Sequence, residues 1–313
     1  MKKTPFNKDL WTGRIDSEDG DLGLRIHQVI NDYSTFETSS IEPKVFLGFC
    51  SEEGVERNKG RIGAKDAPDI IRKSLANLPV HFESNNSIFD AGNIYCDNHN
   101  LEEAREEQIH QVDSVLRQNH FPIVIGGGHE TALGNFLAFA KNYKKIAIIN
   151  LDAHFDLRQP TPISTSGTPF YEMAKYCEEN KLTFNYMPIG IQELGNTTAL
   201  FARAEKLNVN FILADEIHFN LNLTLDKIRE YIAQFDAIYV SLDMDVFDVA
   251  YAPGVSATTI NGLSPFQVKY ILKVLMNSNK VKLFDLVEYN PQFDVDNSTS
   301  KLAAQMIYEI LRR

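Results

Sequence analysis

The chain has 313 residues, 43% of them hydrophobic, which is sufficient for one large or two modest domains with a sizeable core. The 31 Lys and Arg residues against 42 Asp and Glu residues give a formal net charge of −11. This acidity makes nucleic acid and anionic membranes poor candidate partners. The cysteines, Cys50, Cys96 and Cys177, form no Cys-x-x-Cys pair and fit a reducing cytoplasm better than a disulfide scaffold. No apolar run approaches the roughly 20 residues of a membrane span, so neither export nor membrane insertion is expected.

Apolar runs typical of buried strands alternate with stretches of helical periodicity, which predicts parallel strands joined by crossover helices. We therefore expect an α/β fold with three α/β/α layers and a mainly parallel sheet of about eight strands, although an eight-stranded barrel is open from the same pattern. The predicted strands are residues 45–49, 121–125, 146–151, 186–191, 211–213, 237–242 and 281–286. The predicted helices are residues 67–78, 102–119, 130–141, 169–180, 199–207, 224–234, 265–276 and 299–313.

Residues 1–40 are polar and rich in turn residues, and no linker rich in Gly, Pro or Ser follows them. We expect this segment to be an N-terminal arm packed on the domain, with Trp11 and Tyr33 as its anchors. The whole chain, residues 1–313, is accordingly expected to form a single domain.

Residue types that bind metals follow the predicted strand 146–151. Asp152, His154 and Asp156 are spaced by two, so their side chains share one face of an extended segment. Open α/β sheets place their active sites at the carboxyl ends of strands. The pattern predicts a metal site, although acids at a strand end often only cap the next helix.

Two other predicted strands end in similar residues. Asp243 and Asp245 follow strand 237–242 with the same spacing, and His129 follows strand 121–125 within Gly-Gly-Gly-His-Glu. Each motif alone is weak, but three strand ends that all offer ligands are an unlikely accident of capping. Two imidazoles and four carboxylates are more ligands than one ion usually needs.

The order of these motifs resembles that of the arginase, or ureohydrolase, superfamily of two-manganese hydrolases. The superfamily motifs Gly-Gly-x-His, Asp-Ala-His-x-Asp, Ser-x-Asp-x-Asp and Glu-x-Asn-Pro match residues 126–129, 152–156, 241–245 and 288–291. Within the superfamily the chain is most similar to the formimidoylglutamases, which cleave N-formimino-L-glutamate to L-glutamate and formamide in histidine degradation. The signals of that subfamily are Gly-Gly-Gly-His-Glu in place of Gly-Gly-Asp-His, and residues 48–55, 57–64, 154–158 and 166–170.

The resemblance implies an arginase-like fold and two Mn²⁺ ions per subunit. A carboxylate-rich ligand set suits Mn²⁺ better than Zn²⁺. The implied reaction is attack of a metal-bridging hydroxide on the amidine carbon. One ion is expected among His129, Asp152, Asp156 and Asp245. The other is expected among Asp152, His154, Asp243 and Asp245, so that Asp152 and Asp245 bridge.

The resemblance also implies roles for residues beside the ions. Asp156 is expected to carry the proton to the leaving nitrogen. Glu288 is expected to hold the cationic formimino group, although an isolated glutamate is more often part of an ordinary salt bridge. Phe170 stands where arginases have a histidine implicated in proton transfer, which argues against arginase activity.

The two carboxylates of N-formimino-L-glutamate call for planar cationic donors. Arg158, two residues beyond Asp156, is the first candidate, with Ser166 as a hydroxyl partner. Arg57 and Arg61, in the loop after the first predicted strand, are the other candidates. Taken alone, each arginine is more often solvated or structural than a ligand of a small molecule.

Two other functions stay open. Another ureohydrolase, similar to agmatinase or guanidinobutyrase, would release urea instead of formamide. A non-catalytic metal-binding scaffold is the alternative from a different class, and the six candidate ligands together with Glu288 argue against it. The expected partner is a small-molecule substrate, and a homo-oligomer is left open because superfamily members often assemble.

Overall fold

Ten strands form one sheet in a computed structural model, which describes residues 2–38, 42–83 and 87–312. The order along the sheet is β1-β4-β3-β5-β10-β9-β6-β7-β8, and β2 also pairs with β4. β1 is antiparallel to β4, and the other pairs are parallel. The strands are β1 Lys2–Thr4, β2 Asn31–Asp32, β3 Lys44–Cys50, β4 Ile88–Tyr95, β5 Phe121–Gly126, β6 Ile146–Leu151, β7 Tyr186–Ile191, β8 Ile212–Leu213, β9 Ala237–Asp243 and β10 Val281–Val287. The mainly parallel sheet is confirmed, and the barrel alternative is wrong because the path is open.

Helices connect the strands at nearly all of the predicted positions. They are α1 Ile26–Val29, α2 Glu53–Arg57, α3 Ala67–Ala76, α4 Leu101–Arg117, α5 Thr131–Asn142, α6 Pro169–Glu179, α7 Thr198–Lys206, α8 Ala214–Phe219, α9 Leu221–Ala233, α10 Pro265–Asn277 and α11 Ser298–Leu311. The start of α10 illustrates why the sequence signals work. The Ser264 hydroxyl accepts a hydrogen bond from the Gln267 amide, and Pro265 occupies the first turn, where no intrahelical donor is needed.

The helices lie on both faces of the sheet, as the sequence predicts. Ala147, Ile149 and Leu151 of β6 belong to a buried cluster that includes residues of α3, α9, α10 and α11. Ile146 and Ile148 belong to a second cluster with residues of α4, α5, α6 and α7. Successive side chains of a strand point to opposite faces, so β6 is covered on both sides. Within the described ranges, no helix is both long enough and apolar enough to cross a membrane.

The two expected anchors of the N-terminal segment both contact residues near the sheet. The buried Trp11 donates a 2.8 Å hydrogen bond from Nε1 to Asp90 Oδ2. The Tyr33 hydroxyl lies 2.9 Å from His120 Nδ1, and its ring packs against Phe89 of β4. Because β1 and β2 also pair with β4, we propose that this segment belongs to the same domain as the rest of the chain.

Candidate metal centre and substrate pocket

Four neighbouring strands, in the order β5-β10-β9-β6, end at one edge of the sheet. Their register aligns Leu286 with both Ile125 and Leu242, and Leu242 with Leu151. Residues that directly follow these strands are therefore brought together, although they lie far apart in the sequence. The six predicted metal ligands and Glu288 all come from this edge.

The first group of ligands surrounds the fully buried His129. Its Nδ1 lies 3.0 Å from Asp156 Oδ2, 3.0 Å from Asp243 Oδ2 and 3.3 Å from Asp152 Oδ2. The four side chains lie close enough together to hold one metal ion.

The second group contains His154 and Asp245. His154 Nδ1 lies 3.0 Å from Asp245 Oδ2 and 3.6 Å from Asp152 Oδ1. Asp152 therefore directs one carboxylate oxygen to each histidine, and the two groups share it. This geometry suits two neighbouring cations with one bridging carboxylate.

The structure groups the ligand side chains differently from the expected division. Asp243, instead of Asp245, lies with His129, while Asp245 lies with His154. The reason is local. Asp243 is the last residue of β9, whereas Asp245 lies in the 3₁₀ turn Met244–Val246, and its amide donates a 2.7 Å hydrogen bond to Asp243 Oδ1.

The side of His129 away from the acids is held by a chain of buried hydrogen bonds. His129 Nε2 lies 3.0 Å from Ser241 Oγ, and the Ser241 hydroxyl donates to Asp285 Oδ1 at 2.6 Å. Because that hydroxyl proton points to Asp285, we infer that Ser241 accepts from Nε2–H. Such partners orient metal-binding histidines. Asn135 and Tyr239 donate to the second oxygen of Asp285.

Nδ1 of His129 is buried and makes no hydrogen bond within the described residues, yet three carboxylate oxygens surround it. A proton or a cation must occupy this space. Burial lowers the pKa of His129, but Asp152, Asp156 and Asp243 outweigh burial and raise this pKa well above its ordinary value. A convergent set of nitrogen and carboxylate acceptors fits a divalent cation.

Repulsion among the buried acids supports the same conclusion. Burial, together with the charges of Asp245 and Asp152, raises the pKa of Asp243 well above its ordinary value. Burial also raises the pKa of Asp156 and Asp245. A bound divalent cation would stabilise the ionised carboxylates and reverse these shifts.

Glu288 follows β10 with a left-handed backbone, φ +63°. Its Oε1 accepts a 2.7 Å hydrogen bond from the His129 amide, and its own amide donates to Gly127 O at 2.8 Å. In the described ranges Glu288 forms no salt bridge, which disfavours the alternative that it is an ordinary ion-pair residue. Burial, followed by the charge of Glu130, raises the pKa of Glu288 to about 8. A cationic group bound beside Glu288 would favour the ionised carboxylate and lower this pKa.

A cavity of about 340 Å³ lies above these residues. Asp156, Asp243, Asp245 and Glu288 contribute acidic groups to its lining. Cations from two loops also line it, namely Lys59, Arg61 and Arg158. The cavity therefore presents both signs of charge.

Of the other predicted substrate-binding residues, one lines the cavity and one does not. Ser166 lines the cavity and its Oγ accepts a 3.3 Å hydrogen bond from Asn58. Arg57 does not line the cavity. Its guanidinium donates to Glu53, Glu102 and the carbonyl oxygens of His99 and Ser164. It therefore joins α2 to α4 and to the loop before α6.

Phe170 is fully buried and contributes an apolar ring beside the metal ligands. Its ring packs edge-on against His129, with centroids 5.2 Å apart, and stacks on Tyr186 at 4.4 Å. No side-chain proton donor stands at this position, in agreement with the argument against arginase activity.

Glu130 is a residue near the site that the sequence interpretation missed. It is buried, and its Oε1 accepts hydrogen bonds from the Ser51 hydroxyl at 2.7 Å and from the Gly54 amide at 3.0 Å. Its Oε2 occupies the space into which a Cβ on Gly128 would project. The signal was present in the Gly-Gly-Gly-His-Glu motif, because a residue without a side chain at position 128 leaves room for Glu130.

A second cluster that sequence spacing missed lies on the surface. His99 Nδ1 is 2.7 Å from Glu53 Oε2 and 3.6 Å from Glu56 Oε2. The His99 side chain is 73% exposed. We therefore interpret this cluster as a solvated ion pair.

Comparison with known proteins identifies the family. The arginase family model matches residues 44–312. The chain is 40% identical to the formimidoylglutamase of Clostridium tetani, over 98% of this chain and 95% of that protein. It is also 40% identical to the formimidoylglutamase of Vibrio parahaemolyticus, over 96% and 92% of the two chains.

Solved structures agree with the sequence matches. Trypanosoma cruzi formiminoglutamase with Mn2+2 has a TM-score of 0.80 and 25% identity, covering 88% of this chain and 95% of that chain. The formimidoylglutamase from Bacillus subtilis has a TM-score of 0.84 and 24% identity, covering 96% and 94%, which indicates a shared fold. The predicted resemblance to formimidoylglutamases is confirmed, and the chain belongs to the arginase family.

Proposed function

We propose that the protein hydrolyses N-formimino-L-glutamate to L-glutamate and formamide, as a cytoplasmic step of histidine degradation. Relatives that are 40% identical over nearly the whole chain carry the name formimidoylglutamase. The structural observation that carries the proposal is one cavity that combines two groups of metal ligands with cationic residues. A substrate with a cationic formimino end and two carboxylates matches this distribution of charge.

The proposed cofactor is a pair of Mn²⁺ ions per subunit. Bound there, the ions would supply a hydroxide nucleophile at neutral pH. One ion would be held by His129, Asp152, Asp156 and Asp243. The other would be held by Asp152, His154 and Asp245.

Glu288 holds the formimino group in this proposal. The His129 amide fixes Oε1 of Glu288, which leaves the other carboxylate oxygen to accept a hydrogen bond from the formimino N–H groups. The Asp156 side chain is partly open to the cavity. It can therefore transfer the proton that the glutamate nitrogen needs in order to leave. The C–N bond to that nitrogen then breaks and glutamate leaves as the amine.

Arg158, with Ser166 as a hydroxyl partner, is proposed to bind a substrate carboxylate, since both line the cavity. Arg61 also lines the cavity, but the carbonyl groups of Ser256 and Val255 already accept from its guanidinium. Arg57 is left out because acids and carbonyl groups already occupy its guanidinium. The small-molecule substrate is the proposed partner. A cytoplasmic location agrees with three cysteines that form no disulfide, and assembly into a homo-oligomer remains a prediction.

Product analysis after reconstitution with Mn²⁺ tests the function. N-formimino-L-glutamate, arginine, agmatine and guanidinobutyrate are offered separately, and formamide, urea and free amine are measured. Formamide with glutamate from the first compound alone supports the proposal. Urea from any guanidine assigns the protein to another ureohydrolase activity. Two bound metals without turnover of any compound would favour the non-catalytic scaffold.

A further inference from the structure

Lys59 lines the substrate cavity from a tight turn after α2. The Lys59 amide donates to Glu56 O at 2.9 Å, and the Gly60 amide donates to Val55 O at 2.8 Å. This pair of bonds is the Schellman arrangement that ends a helix, with Lys59 in the left-handed position at φ +62°. Glycine usually occupies that position because an L side chain is strained there.

The backbone of Lys59 alone does not indicate a function, because Lys181 has the same geometry. Lys181 follows α6 at φ +55°, its amide donates to Glu178 O, and the Leu182 amide donates to Cys177 O. The difference between the two lysines is their surroundings. Lys59 lines the cavity above the metal ligands, and Lys181 does not.

The turn that contains Lys59 contacts the loop at Ser166 and Gly167, and this part of the loop also packs beside Arg158. Asn58 donates to Ser166 Oγ at 3.3 Å. A Cβ on Gly167 would lie 2.9 Å from Arg158 Cδ and 3.3 Å from Asn58 Nδ2, so Gly167 lies between the two side chains. This packing brings Lys59 and Arg158 to the same cavity from different loops.

The cations of the cavity differ in how many donors they have free. Arg61 donates to Ser256 O and Val255 O, and its guanidinium lies 3.8 Å from the centre of the Phe293 ring. Within residues 2–38, 42–83 and 87–312, the side chains of Lys59 and Arg158 make no hydrogen bond or ion pair. Two cations with free donors thus face a cavity whose proposed substrate has two carboxylates.

We propose that the Lys59 ammonium binds one substrate carboxylate while Arg158 binds the other, and that Lys59 thereby selects dicarboxylates. The identity of the substrate rests on the proposed function, whereas the carboxylate site rests on the cavity and its cations. An ammonium is a compact point charge, so Lys59 tolerates a range of carboxylate orientations that a planar guanidinium does not.

Replacement by glycine tests the proposal, with Lys181→Gly as a matched control. Both substitutions remove a lysine and relieve the same backbone strain, so both should leave the thermal midpoint of the Mn²⁺-reconstituted protein unchanged or raise it by about 2 °C. Only Lys59→Gly should weaken binding of L-glutamate, by about tenfold in calorimetric titration, because it removes a charge-assisted hydrogen bond. Lys59→Arg should retain most of the affinity.

The same variants should differ in turnover. Lys59→Gly is expected to raise KM for N-formimino-L-glutamate by about tenfold with kcat nearly unchanged, since uniform binding is lost. Equal glutamate affinity in Lys59→Gly and Lys181→Gly would overturn the proposal, as would failure of the unsubstituted protein to bind glutamate. If no formamide is released but the two variants still differ in glutamate affinity, the proposed function fails and the carboxylate site stands.

Discussion

The Ser241 hydroxyl donates a 2.6 Å hydrogen bond to the buried carboxylate of Asp285. Because of this bond, Ser241 accepts from His129 Nε2–H. A residue that is not itself a candidate metal ligand therefore determines which histidine nitrogen points to the acids. Removing the hydroxyl should therefore affect metal binding without removing a ligand.

Ser241→Ala is expected to weaken Mn²⁺ binding by about 10- to 100-fold, the usual effect of losing a partner of a metal-binding histidine. Metal content after dialysis against a graded chelator measures the change. Ser278→Ala, just after α10, is the control because the Ser278 hydroxyl donates to Leu275 O and accepts from the Lys280 amide, far from the metal ligands in sequence. Unchanged Mn²⁺ affinity in Ser241→Ala would refute the role of the hydrogen-bond chain.

Glu288→Gln should lower kcat/KM for N-formimino-L-glutamate by about 10- to 100-fold, because a charge-assisted hydrogen bond becomes a neutral one. The glutamine can still accept the hydrogen bond from the His129 amide, so metal content should stay the same. Steady-state kinetics and metal analysis of the same preparation separate the two effects. A loss of metal that parallels the loss of activity would assign Glu288 to the metal centre instead.

Arg158 and Arg57 should respond differently to replacement by alanine. Arg158→Ala is expected to raise KM about tenfold, because it removes a donor to a substrate carboxylate, while metal content remains intact. Arg57→Ala should instead lower the free energy of unfolding by about 1 kcal/mol, because the ion pair with Glu53 inside α2 and the ion pair with Glu102 of α4 are both lost. Steady-state kinetics and urea unfolding of both variants test these two expectations. Unchanged kinetics in Arg158→Ala would remove Arg158 from the site.

Gly128→Ala should destabilise the fold by roughly 1–3 kcal/mol, because the new methyl group would overlap Glu130 Oε2 and Val55 Cγ2. Urea unfolding measures the loss. Combining Gly128→Ala with Glu130→Ala removes one of the two overlaps, so the double variant should lose less stability than the sum of the single variants. Additive losses would show that the two residues do not compete for space.

Acid should weaken the attachment of the N-terminal segment. Burial lowers the pKa of His120 below its ordinary value of 6.5, so the unfolded chain binds a proton at a pH where the folded protein does not. Stability is then fully present above pH 6.5 and falls as the pH decreases from there to the folded-state pKa. Protonation of His120 would also change its 2.9 Å hydrogen bond with the Tyr33 hydroxyl.

Hydrogen exchange of residues 31–38 at pH 7 and pH 5 measures this effect, and faster opening at pH 5 is expected. His120→Gln should reduce the difference between the two pH values, whereas His110→Gln, on the exposed side of α4, should not. Equal pH dependence in all three proteins would exclude His120 as the cause.

The central strands and the ligand positions could be predicted because both follow from local pattern. Parallel strands covered on both faces have continuous apolar runs, and β6 and β9 are such strands. β4 was missed because Asp90, Gly92 and Asn93 interrupt its apolar pattern. Those polar groups are compatible with burial only because residues distant in sequence, Arg72 among them, hydrogen-bond to Asp90 and Asn93.

Finer features of the site depend on geometry that no spacing encodes. The grouping of the ligand side chains differs from the expected division because the 3₁₀ turn after β9 directs Asp243 and Asp245 to different histidines. Arg57 and Arg61 lie four residues apart, at the end of α2 and in the loop that follows it, yet only Arg61 lines the cavity. The partners of each arginine depend on the elements that pack beside it, and a single sequence does not specify that packing.

The pairing of β4 with β1 and β2 has a practical consequence for recombinant fragments. The family match begins at residue 44, and an expression fragment cut there would lack both of these short strands and Trp11. β4 would then become an open sheet edge with unpaired backbone groups, which is a template for aggregation. Asp90 would also lose one of its buried donors. Recombinant work on this protein should keep the first 43 residues.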